Sequence, residues 1–225
     1  MNKDHTSETS TTQVMNAFER FTKRSIWPAY AGFWWALLYA VFVRFYEAAA
    51  GTIGGFGQLS DPDAFSLASY GAGVLIMICG FILLGLVKPW GLTVPVWVPH
   101  FRHKRIPRLF ILIPTLFSSA MLIAHGTTGI VTKTLFLIGA IPLELQGWAV
   151  IDKERLAVWD LFFYEPWFLI MGILSGLAAA YYAHATGVML PRFRQWVIRF
   201  VVIVSLLTLL LIASIVFGFS NILSF

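Results

Sequence analysis

Five times along this chain an apolar run reaches roughly 20 residues, the length at which a helix rising ~1.5 Å per residue crosses a hydrocarbon layer of ~30 Å. The runs cover about 26–50, 67–87, 109–129, 161–185 and 197–219. Lipid offers no hydrogen bonds to a bare backbone, so such runs are stable only as helices packed on one another. The expected fold is all-α, a single polytopic transmembrane helical bundle of about five spans. Composition agrees: 58% of the residues are hydrophobic, 12% are charged and the mean hydropathy is +0.77, a balance that a soluble domain does not have.

The sidedness follows from where the cations fall. With the amino terminus inside, the inner segments hold Lys3, Arg20, Lys23, Arg24, Lys88, Arg102, Lys104, Arg105, Arg108, Arg192, Arg194 and Arg199, twelve of the 16 basic residues. Arg44, Lys133, Lys153 and Arg155 are left outside. Eight of the 11 acidic residues are outer, and only Asp4, Glu8 and Glu19 are inner. This is the positive-inside pattern. It assigns the net charge of +5 to topology and to anionic headgroups at the inner face, and it excludes nucleic acid as the partner of the basic residues.

The same bookkeeping decides the stretch 134–151. A sixth span there would carry Arg192, Arg194 and Arg199 outside, and Pro142, Glu144 and Gln146 suit a spanning helix poorly. The segment is expected to be an outer amphipathic or re-entrant element, with the carboxyl terminus outside. Residues 1–24 read as a polar inner tail ending in a short interfacial helix near Val14–Phe21, with no signal-peptide cleavage pattern.

The polar groups inside or beside the spans are few. Arg44 and Glu47 lie three apart on one face of the first span, about 9 Å in from its outer end for Arg44. The plainer reading is an ion pair or a snorkelling arginine; the other is a ligand or ion site lined by the pair. Glu165, beside Pro166, suits the first turn of a helix as a capping acid. Alternatively Asp160, Tyr164 and Glu165 join Arg44, Glu47, His125 and Glu144 around an outward vestibule, where paired carboxylates could work as acid and base if they lay close together. His184, on a small-residue stripe with Gly172, Gly176 and Ala180, is expected to hydrogen-bond between helices near the inner interface, a proton relay being the rarer role.

Several chemistries are excluded. His125 and His184 belong to opposite membrane depths and cannot grip one haem iron. Cys79 is the sole cysteine, which removes internal disulfide exchange and cysteine metal cages. No HExxH, GxSxG, P-loop or EF-hand spacing is present. Neither a metal nor another cofactor is expected.

The loop between the second and third spans is basic and punctuated by proline. It contains Lys88, Pro89-Trp90-Gly91, Pro95-Val96-Trp97, Arg102, Lys104, Arg105 and Pro107-Arg108. Together with the first span's aromatic run into Gly51-Thr52-Ile53-Gly54, and with Tyr164, Trp167 and Phe168, it resembles an uncharacterised family of small bacterial multi-pass membrane proteins, catalogued only as a domain of unknown function. The charged Arg44-Phe45-Tyr46-Glu47 departs from that pattern. The resemblance implies a four- or five-helix bundle in the bacterial cytoplasmic membrane and carries over no reaction. The activity expected is non-enzymatic binding of a small hydrophobic or amphipathic ligand, or of a membrane partner or second copy. The alternatives are a small transporter or exporter component and a membrane-embedded enzyme on a lipid-linked substrate.

Overall fold

The computed structural model describes residues 15–54, 57–91, 93, 106–143 and 147–217. It is an all-α helical bundle with one short antiparallel strand pair. Among the described residues, four helices are long and apolar enough to cross a membrane, and a fifth span results if the bent pair Ala17–Arg24 and Trp27–Ala48 is taken together.

The first helix, α1 (Ala17–Arg24), is started by a capping box. Asn16 Oδ1 accepts from the Glu19 backbone N–H, while Glu19 Oε2 accepts from that of Asn16, so two orphan donors are satisfied together. The chain then bends by 67° into α2 (Trp27–Tyr39), which passes through a π-helical stretch, Ala40–Phe45, to end in α3 (Tyr46–Ala48). A strand, β1 (Gly57–Leu59), leads to α4 (Pro62–Gly85), capped by Asp61, whose Oδ1 accepts from Ala64 N. Next comes α5 (Arg108–Leu137), 30 residues with Pro114 inside it. The second strand, β2 (Trp148–Ile151), pairs with β1, Gly57 opposite Ile151 and Gln58 opposite Val150. After it, α6 (Lys153–Trp159), a second π-helical stretch (Asp160–Tyr164) and α7 (Glu165–Ala185) form one continuous rod. The last helix is α8 (Leu190–Val216).

In cross-section the order is α4, α2, α7, α5, α8. The tightest seam is between α5 and α7, where small residues let the backbones approach. A Cβ on Gly172 would lie 2.9 Å from the Ile123 backbone nitrogen, and Ser119 Oγ donates to the Gly172 carbonyl at 2.7 Å. At one end of the bundle the core gathers Ala29, Leu83, Leu86, Leu112, Ala178, Ala179 and Tyr182. The last helix presents an apolar outer surface: Leu209 and Leu210 are exposed, and only Phe193 and Val204 of α8 are buried.

Several boundaries differ from the hydropathy reading. α4 begins at Pro62 and the fourth rod at Lys153, because Asp61 and Asp152 cap helices whose first turns are still polar. α5 runs on from 129 to Leu137 with Lys133 inside it; that cation is tolerated because its ammonium is paired with Glu165. The stretch 134–151 is therefore not one amphipathic or re-entrant element. Its first residues finish α5, a turn follows, and 148–151 forms β2. β1 supplies the backbone partners that β2 would otherwise lack.

Candidate functional site

The two ends of the bundle carry different chemistry. At the basic end, where α4 and α7 stop and α5 and α8 start, α1 folds back on the bundle. Glu19 is 1% exposed. Its Oε1 accepts from Arg194 Nε at 2.6 Å and its Oε2 from Arg194 Nη2 at 3.1 Å, a two-point grip between planar groups. The Arg194 hydrogen bond holds the Glu19 carboxyl below its usual range, against the opposing push of burial. Thr22 Oγ1 lies 3.2 Å from His184 Nε2, and the His184 ring packs on Phe193. The hydrogen-bonding role expected of His184 is met by α1. Of the loop cations, Lys88 sits over the Tyr30 ring and Arg108 opens α5; Arg102, Lys104 and Arg105 lie outside the described residues.

At the acidic end there is a cavity of about 700 Å³. Arg44, Glu47, His125, Asp160, Tyr164 and Glu165 all border it; Glu144 lies outside the described residues. The β1–β2 pair forms part of its rim, through Gln58, Leu59 and Trp148.

Each polar wall is placed by local backbone. The π-helical stretch at 40–45 widens the helix by about one residue per turn, which re-aims the side chains beyond it, and Glu47 arrives buried against α4 and the second π-helical stretch. Its Oε2 takes Arg44 Nη1 at 3.1 Å and Ser69 Oγ at 3.4 Å, and its Oε1 lies 2.9 Å from the Tyr164 hydroxyl. The Arg44 guanidinium also stands over the Tyr39 ring at 5.5 Å. The second π-helical stretch, at 160–164, does the same for the facing wall. It delivers Asp160 and Glu165 to one lysine, with Lys133 Nζ 2.5 Å from Glu165 Oε1 and 3.6 Å from Asp160 Oδ2.

Glu165 is 2% exposed. It fits only because α5 has Gly129 opposite: a Cβ there would run into the Glu165 carboxyl group. The capping role expected of Glu165 does not hold. The rod is helical on both sides of it, so no free helix start exists there for it to cap. Its second oxygen, Oε2, has no hydrogen-bond partner; His125 Nε2 stands 3.9 Å away. A buried carboxylate oxygen without a donor is costly in a low-dielectric setting.

Lys133 joins the site although the sequence marked it only as an outer cation. With the third helix ended at 129, it fell in a loop. Extended by two turns, the helix puts Gly126, Gly129 and Lys133 on one face at spacings of three and four, which was the available signal. The two π-helical stretches have no comparable signature.

A scan against protein-family models, a search of curated proteins and a search of solved structures each returned no match.

Proposed function

We propose that this chain is a multi-pass protein of the bacterial cytoplasmic membrane, its acidic end outward, that binds a small amphipathic molecule in the cavity bounded by Arg44, Glu47, Lys133 and Glu165. The observation that carries the reading is the Glu165 carboxylate, which borders the cavity, is buried beside a glycine that makes room for it, and has one oxygen without a hydrogen-bond partner. Charges placed only for architecture would each be answered by a neighbour, as Glu19 is. An ionisable group left short of a partner inside a membrane bundle argues for a ligand.

The test is native mass spectrometry of the full chain released from lipid nanodiscs. Wild type is compared with the Arg44→Gln, Glu47→Gln double variant and with His125→Ala, each checked for monodispersity. A defined molecule retained by wild type, lost by the double variant and weakened by His125→Ala is the expected result. Wild type and variants carrying the same bulk lipid would overturn it.

The convergence of Glu47, Asp160 and Glu165 on one cavity also favours a second reading, catalysis on a lipid-linked substrate with a carboxylate as acid or base. Incubating the loaded protein separates the two: a bound molecule returns with its mass unchanged, a substrate returns converted.

A further inference from the structure

A second concavity opens on the apolar flank of the bundle, where Leu75 and Phe117 are exposed. α4 leans on α2 and only grazes α5, and the gap is a cleft of about 290 Å³ between α4 and α5, floored by α2 and α7. Its walls are almost wholly apolar, with Leu75, Cys79 and Leu83 on one side and Phe117 and Met121 on the other. Cleft and cavity meet at one residue, Phe168, which borders both. The His125 ring stands edge-on to it, centroids 5.0 Å apart, about one turn along α5 from Met121 and Leu122 in the cleft wall. The His125–Phe168 pair therefore stands between the polar cavity and the apolar cleft.

The polar cavity has a sign. Among the described residues it is lined by four carboxylates, Glu47, Asp63, Asp160 and Glu165, against Arg44 and Lys133, and both cations are already engaged by carboxylates. Two buried polar atoms of its lining lack a hydrogen-bond partner, the acceptor Glu165 Oε2 and the donor Arg44 Nε. The surplus of carboxylates decides between them: an anionic phosphate would meet it unfavourably, whereas an ammonium supplies the missing charge and a donor for Glu165. Scaled from the ~150 Å³ cavity that accepts benzene, the cleft holds about a dozen carbons, one chain and not the two of a membrane phospholipid.

Resting on the binding reading above, we propose that the ligand is a single-chain amphiphile with a cationic amine head. The ammonium sits on Glu165, and the chain passes His125 and Phe168 into the cleft between α4 and α5.

The probe is photoreactive dodecylamine with a diazirine near its chain end, cross-linked to the full chain in phosphatidylcholine nanodiscs, with adducts mapped by peptide mass spectrometry. The lipid-facing surface at Leu209 and Leu210 of α8 serves as the internal background. Adducts at 75–83 and 114–122 should stand well above that background and be competed by unlabelled dodecylamine. They should fall to it in Ser118→Phe, which fills the cleft from α5, and in Cys79→Phe, which fills it from α4. Glu165→Gln, where it remains monodisperse, should abolish the same adducts. Labelling no higher than on α8, or equal labelling by photoreactive dodecanoic acid, would overturn the proposal. If wild type retains a defined molecule and Ser118→Phe retains it equally, the cleft assignment fails while the cavity reading stands; if wild type retains none, both fail.

Discussion

Glu19 and Glu165 make a natural pair for comparison. Each is a carboxylate buried to within 2% of its surface, each faces a cation on another helix, and they sit at opposite ends of the bundle. Glu19 is saturated: Arg194 grips both oxygens and Asn16 adds a backbone donor. Glu165 has Lys133 on one oxygen and nothing within hydrogen-bonding reach of the other. The same chemistry is thus saturated at one end and only half-satisfied at the other. Charge and burial alone do not distinguish the roles; the count of satisfied lone pairs does.

Removing Lys133 should break the comparison hardest. Lys133→Met leaves Glu165 and Asp160 without their shared cation, and loss of one partner from a buried pair costs about 3–5 kcal/mol, read as lowered resistance to denaturation in detergent micelles. Adding Glu165→Gln should recover part of that loss, since an uncompensated charge then disappears; no recovery would mean that the pair contributes through packing instead.

The Glu19–Arg194 pair should fail more locally. In Glu19→Gln, hydrogen exchange should speed up through 17–24 and stay unchanged in α2 and α7. Because the folded-state carboxyl lies below its ordinary value of about 4.3, the contribution is complete above that pH and fades as pH falls through the lower folded value. Wild-type α1 should therefore loosen on acidification while Glu19→Gln shows a flat profile. A wild-type profile equally flat would show that Glu19 does not hold α1.

A methyl group at position 129 is a finer probe. Gly129→Ala would collide with the Glu165 carboxylate, forcing a rotamer change that costs about 1 kcal/mol, and any molecule held by wild type in native mass spectrometry should be lost. Unchanged retention would show that Glu165 can move without consequence. The smallest stability effect belongs to His125→Ala. Its side chain is 61% exposed, so the change should stay within about 0.5 kcal/mol, and weakened ligand retention at unchanged stability would place His125 against the bound molecule.

Much of this was legible before any coordinates. Arg44, Glu47, His125, Asp160, Tyr164 and Glu165 stood out because each is polar beside a long apolar run, and all six border one cavity. Lys133 and Gly129 did not stand out, because their role depends on Glu165, 32 and 36 positions further along the chain. Arg194 was legible as a topology signal and not as the partner of Glu19, 175 residues away.

What the sequence by itself determined is the material and its layers: an apolar helical bundle, the number of long runs, and the polar groups within them. These rest on transfer free energies, which add along a local window and need no knowledge of neighbours. Only the tertiary structure decided which charges are quenched and which are left open. That outcome turns on distances of 2.5 to 3.9 Å between helices remote in sequence, and on two π-helical stretches that rotate Glu47 and Glu165 onto one cavity. Helix rotation is a property of packing, and no local window of sequence contains it.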